Sequence, residues 1–166
     1  MINFKKLNLK KYLLVLLTVG CVASVVNVEK SEKLDLSISE QEMAELSQIE
    51  AMENLIKERL SVAEELAEWK WHHKEPIDDP EGENAELKQF SALCSGLGLD
   101  PIVGEKFMKD LIDEARIIQI KKFSTLIDQN HHIKGNDYPK KEELLRKIDR
   151  IDARLATELA KVQQQR

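Results

Sequence analysis

The chain has 166 residues, the size of one domain on a scale of about 150 residues per domain, which leaves no room within it for a multidomain enzyme. Hydrophobic residues make up 42% and charged residues 33%, while 6 Gly and 4 Pro together fall near half the usual share of about 12%, so a turn-rich β-sandwich is disfavoured and long helices are expected. The formal charge of −5 argues against general nucleic-acid binding, which needs a surplus of Lys and Arg, but leaves room for a small anionic ligand if the cations are concentrated in one place.

Residues 1–26 read as an export signal. Lys5, Lys6, Lys10 and Lys11 precede the apolar run Tyr12–Val19, and the small residues Gly20, Ala23 and Ser24 follow, which places cleavage near 20–24. The apolar run falls short of the roughly 20 residues that span a bilayer. Cleavage after Ala23 would release a periplasmic or secreted protein. The alternative, a lipoprotein acylated at Cys21, fits less well because Thr18 stands where a Leu is usual. Release removes four lysines and takes the formal charge from −5 to −9. Cys94 then has no intrachain partner and reads as a small apolar filler in a helix.

A polar stretch, residues 27–38, leads into a helical domain over 39–166. The first helix is expected from about Ser39 to His73, with Leu46, Ile49, Met52, Ile56, Leu60, Ala63 and Leu66 at helical spacing, a Ser39–Glu42 capping box and Pro76 as its stop. Asp79-Pro80 starts a second helix that runs to Gly96 and Gly98, and Asp100-Pro101 a third that runs to about Gln129. Residues His131–Tyr138 carry a loop signature. Pro139 opens a fourth helix with Leu144, Ile148, Ile151, Leu155 and Leu159 on one face. The expected fold class is all-α, a helical bundle with one very long N-terminal helix of about 50 Å.

Two cations break the pattern. On the first helix Arg59 and Lys70 fall on the apolar stripe of Met52, Ile56, Ala63 and Leu66, three turns apart. A buried cation costs several kcal/mol unless something anionic is supplied. The two side chains therefore snorkel to the bundle edge, pair with internal carboxylates, or hold a bound anion. On the third helix Gln119 shares a side with Leu111, Ala115 and Ile118, either as a core amide satisfied by backbone or as a site residue. Asp79 and Glu83 share a face of the second helix, where an N-cap and a first-turn charge explain them adequately. His72-His73 and His131-His132 do not read as a metal site, because adjacent helix residues point about 100° apart and no partner completes a set.

The string Glu58–Trp71 (ERLSVAEELAEWKW), followed by PIDD (Pro76–Asp79), GLDP (Gly98–Pro101) and LIDEARIIQ (Leu111–Gln119), resembles the secreted, all-helical gamma subclass of chorismate mutases, of the type II fold. The resemblance implies rearrangement of chorismate to prephenate, a reaction that needs no nucleophile, metal or cofactor, and it admits a homodimer. It implies that Arg59 binds a substrate carboxylate and that Lys70 addresses the ether oxygen and a carboxylate. Asp79 follows the PI turn, Glu83 contacts the ring hydroxyl, and Gln119 is the second donor near the ether oxygen. Ala115 stands where a small hydroxyl residue is frequent. A fourth-helix cation is implied as well, with Arg146 the first candidate and Lys147 or Arg150 next. Gly82 departs from the pattern, since an Arg is expected there, and its absence implies reduced activity. Because neither Gln nor Lys titrates near neutrality, a flat activity profile between about pH 5 and 8 is expected. The related alternatives are elimination of pyruvate from isochorismate on a similar helical fold, and an exported binding or effector protein whose site has decayed.

Overall fold

A computed structural model describes residues 40–128 and 139–164. The expected leader, the polar stretch 27–38, Ser39 of the capping box and the loop 131–138 lie outside the described residues. Four helices account for most of the described chain: α1 (Glu40–His73), α2 (Pro80–Gly96), α3 (Pro101–Asp128) and α4 (Lys141–Gln164), with no strand among the described residues. The expected all-α bundle with a long first helix is what the chain adopts. None of the described helices is long and apolar enough to cross a membrane.

Helix α1 is the spine of the bundle. Its 34 residues pack along both α3 and α4, while α2 lies mainly on α3. The buried face of α1, which includes Met52, Ile56, Leu60, Ala63 and Leu66, meets Leu111, Ile112 and Ile118 of α3 and Leu144, Ile148, Ile151 and Leu155 of α4 in one core. Burial of such side chains contributes about 1.5–3 kcal/mol each, an upper bound because the unfolded chain is already partly compact. Helix α1 therefore stays helical over a length that its charged outer face alone would not sustain.

The helix ends show how local chemistry places the site. Pro76 does not itself end α1. The helix stops at His73 in a Schellman turn, with Lys74 in the left-handed region (φ 55), Glu75 N donating to Lys70 O at 2.9 Å and Lys74 N to Trp71 O at 3.3 Å. That turn folds the following segment back over the last turn of α1, so that the Ile77 carbonyl comes to lie on the Lys70 ammonium. Helix α2 ends the same way. Gly98 takes the left-handed position (φ 76), Leu99 N donates to Cys94 O at 2.9 Å, and Gly98 N to Ser95 O at 3.1 Å. Asp79 caps α2 through the Gly82 N–H at 3.0 Å, with Pro80 in the first turn.

Helix α4 begins at Lys141 rather than at Pro139. The Lys140 carbonyl accepts the first helical bonds, from Glu143 and Leu144, so Lys140 caps the helix and Pro139 precedes the cap. Cys94 is fully buried, as its role as filler requires, and burial pushes its thiol up to about 11. It faces Gly104 so closely that a Cβ there would lie 2.4 Å from its sulfur, and this contact lets α2 and α3 approach.

Candidate functional site

Arg59 and Lys70 are 3% and 5% exposed, so the cations that fall on the apolar stripe of α1 do turn inward. Both line one cavity of about 110 Å³ between the four helices. Helix α2 and the segment before it contribute Ile77, Asp79, Gly82, Glu83 and Glu86, at the offsets of one helix face from Asp79 onward. Helix α3 contributes Ile112, Ala115, Arg116 and Gln119, again one face, and α4 contributes only Leu145 and Ile148. All the candidates named from the sequence except the fourth-helix cations Arg146, Lys147 and Arg150 therefore meet at one place.

Arg146 is exposed, and only its carbonyl makes a described contact, accepting from Arg150 Nε at 3.2 Å. The reason is geometric. Leu144 is fully buried, and two residues along a helix turn the side chain about 200°, which puts Arg146 on the opposite side of α4. Lys147 is spent on Glu65 at 3.0 Å, and Arg150 is exposed. The described residues of α4 thus bring no cation to the cavity, contrary to expectation, and among the described residues the third cation lining it is Arg116, from α3.

The buried charges are paired internally as well as lining the cavity. Arg59 donates from Nη2 to Glu86 Oε1 at 2.5 Å and from Nε to Asp152 Oδ1 at 3.2 Å. These bonds use two of the five guanidinium donors and fix the plane of the group. Asp152 is 5% exposed, and its carboxyl is pushed up to about 7. Burial is the larger cause, with Glu86 and Asp149 raising it further against the opposing pull of Arg59. Lys70 donates to the Ile77 carbonyl at 2.8 Å, and burial lowers its pKa, offset in part by Asp79, Glu75 and Glu83 and reinforced by Lys141. The amide oxygen of Gln119 is buried with no hydrogen-bond partner, an expensive state inside a protein unless a ligand or water relieves it.

Around these groups, Asp79 both caps α2 and lines the cavity. Glu83 binds Arg116 as well as sitting in the first turn of its helix. An ideal Cβ at Gly82 would lie 2.6 Å from Asp79 Oδ2, so any side chain at this position must displace the cap. Trp69 stacks on His73 at 3.9 Å between centroids, and Trp71 meets Phe123 edge-on at 5.3 Å, so both close the rim of α1. Among the described residues no group of three or more His, Cys, Asp or Glu side chains is arranged to hold a metal ion.

The sequence reading missed Glu86, Asp152 and Arg116. Each carried a positional signal. Asp152 lies four residues after Ile148 and three before Leu155, inside the apolar stripe of α4; Glu86 continues the Asp79–Glu83 face; Arg116 lies three before Gln119 and four after Ile112. Net attraction at the cavity is accordingly modest: Arg59, Lys70 and Arg116 face Asp79, Glu83 and Glu86 across it. The arrangement offers fixed, partly desolvated donors rather than a strongly positive field, which suits orientation of a small anion over long-range capture.

Comparison with known proteins places these residues in context. The family model "Chorismate mutase type II" matches residues 50–120. The crystal structure of chorismate mutase from Burkholderia thailandensis is similar to this chain at 30% identity with a TM-score of 0.62, covering 69% of this chain and 72% of that one. None of the curated proteins matches the chain.

Proposed function

The chain belongs to the chorismate mutase family, and from that premise we propose that its cavity rearranges chorismate to prephenate through Arg59, Lys70 and Gln119. In this reaction the ether carbon–oxygen bond breaks as a new carbon–carbon bond forms within one molecule, so atoms balance with no co-reactant. Two physical tasks remain for the protein. It must hold a flexible dianion in its compact reactive shape, and it must stabilise the negative charge that grows on the ether oxygen.

The observation that carries this reading is the placement of two buried cations and the buried Gln119 amide on one cavity. Arg59, held rigid by Glu86 and Asp152, is suited to one substrate carboxylate. Lys70 keeps two ammonium donors beyond the one given to Ile77 and is suited to the ether oxygen. Gln119 is the second donor there, and because a carboxamide is neutral it donates without first being protonated. Ala115 and Ile112 supply the apolar floor, and Glu83 is the acceptor available for the ring hydroxyl.

The finer assignment is to the secreted gamma subclass, supported by the order lysines, apolar run, small residues at the start of the chain. Export would place the activity outside the cytoplasm. A homodimer is part of the same reading.

Purified protein incubated with chorismate, and separately with isochorismate, tests the proposal. Loss of chorismate absorbance with prephenate as product is expected, and no pyruvate. Pyruvate release from isochorismate alone would move the site to the lyase reaction, and inertness toward both would leave a binding protein.

A further inference from the structure

We propose that Arg116 of α3 is the second carboxylate-binding residue of the site, the one cavity-lining cation among the described residues that comes from outside α1. The inference rests on the chorismate reading, because it is the dianionic substrate that calls for a second charged anchor.

Charge distribution is the first ground. Arg59, which also faces Glu86 and Asp152, is assigned one substrate carboxylate, and Lys70, held beside the Ile77 carbonyl, is shared between the ether oxygen and a carboxylate. Helix α4 sends only Leu145 and Ile148 to the cavity. A second substrate carboxylate would therefore have only a share of Lys70 unless Arg116 meets it, and a weakly paired buried carboxylate is disfavoured.

Geometry is the second. Arg116 shares its helix face with Ile112, Ala115 and Gln119, all of which line the cavity, and its side chain is only 35% exposed. Glu83 of α2 binds its Nη2, which holds the guanidinium over the cavity rather than in solvent. The Nε–H is buried with no hydrogen-bond acceptor, because Asp78 Oδ1 stands 3.7 Å away, beyond hydrogen-bond reach. Asp113 is 3.9 Å from Nη1. Glu83 holds one edge of the fork while Asp78 and Asp113 stand at ion-pair distance without hydrogen-bonding its Nε, so a substrate carboxylate that displaces them gains an oriented guanidinium edge. Gly82 lines the same cavity and, with no side chain, brings no cation of its own to it.

The test compares wild type, Arg116→Gln, Arg116→Lys and, as a control away from the cavity, Arg154→Gln. Steady-state KM for chorismate and calorimetric Kd for prephenate are measured, with helical circular dichroism as the folding check. Arg116→Gln is expected to raise KM and Kd together by about 10- to 150-fold, the loss of one charge-assisted contact. Arg116→Lys, which keeps the charge and loses the fork, is expected to fall between. Arg154→Gln should match wild type. Should Arg116→Gln lose helicity, Arg116→Lys decides, with a raised KM supporting the role and an unchanged one opposing it. If wild type converts chorismate and binds prephenate while the Arg116 variants equal it, this inference is overturned and the chorismate reading stands. If wild type does neither, both fall.

Discussion

Lys70→Ala is expected to lower kcat for chorismate by about 100- to 1000-fold, the usual cost of losing one donor aimed at a developing oxyanion. The helical circular dichroism should be retained. Lys70 sits in the last turn of α1, is 5% exposed, and is positioned by the Schellman turn that brings the Ile77 carbonyl onto its ammonium. Alanine keeps the helix, since it is the best helix former. It also removes a buried charge whose desolvation opposes folding, so stability should change little even though the Ile77 carbonyl loses a partner. The effect should appear in kcat more than in KM, because the ether oxygen gains its charge only in the transition state. Retention of wild-type kcat in this variant would show that the ether oxygen lies elsewhere.

The second large effect concerns pH, where Asp152 argues against the flat profile expected from Gln119 and Lys70. Asp152 is buried against Arg59, and burial pushes its carboxyl from the usual 3.8 up to about 7. Because the folded-state value is raised, the contribution of this group to stability is fully present below about 3.8 and is lost as pH rises through about 7. The groups facing it are Arg59 from α1, Glu86 from α2 and Asp149 of its own helix. Burial outweighs the pull of Arg59, which decides the sign.

Two consequences follow. Above pH 7 an ionised Asp152 competes with a substrate carboxylate for Arg59, so kcat/KM for chorismate should fall up to about tenfold from pH 6 to pH 8, following the loss of one proton. Asp152→Asn keeps an acceptor for Arg59 Nε and has no charge to bury. It should flatten that profile and, in denaturant unfolding at pH 8, be more stable than wild type, the difference vanishing by about pH 4. An Asp152→Asn protein that is less stable than wild type at pH 8 would mean that the Arg59 ion pair, not burial, dominates there.

These two residues also show what a sequence can disclose. Lys70 was legible because a cation on an apolar helical stripe is a local contradiction, visible from spacing alone. The same holds for Arg59 and, more weakly, for Gln119. The helix starts at Asp79-Pro80 and Asp100-Pro101 were legible because cap and proline chemistry acts within four residues. The stop at His73 was legible in place but not in cause, which is not Pro76, since Lys74 takes a left-handed conformation that its side chain does not advertise. Asp152 broke the apolar stripe of α4 as Arg59 breaks that of α1, yet its significance depends on which helix packs opposite. Arg146 failed for a related reason: its position on α4 is fixed by the burial of Leu144 and Ile148, and one wrong step of register turns a cation from the cavity to solvent. Pairings such as Arg59 with Glu86, 27 residues apart, and Asp152, 93 apart, belong to tertiary packing.

The central claim is that the cavity binds the substrate in its compact shape with the ether oxygen between Lys70 and Gln119. A crystal structure of the protein with a stable bicyclic dicarboxylate mimic of that shape tests it most directly. The expected result is the mimic in the cavity, one carboxylate on Arg59, and its ether oxygen within hydrogen-bond distance of Lys70 Nζ and the Gln119 amide. A mimic bound outside the cavity, or inside it with the ether oxygen turned away from both donors, would contradict the claim.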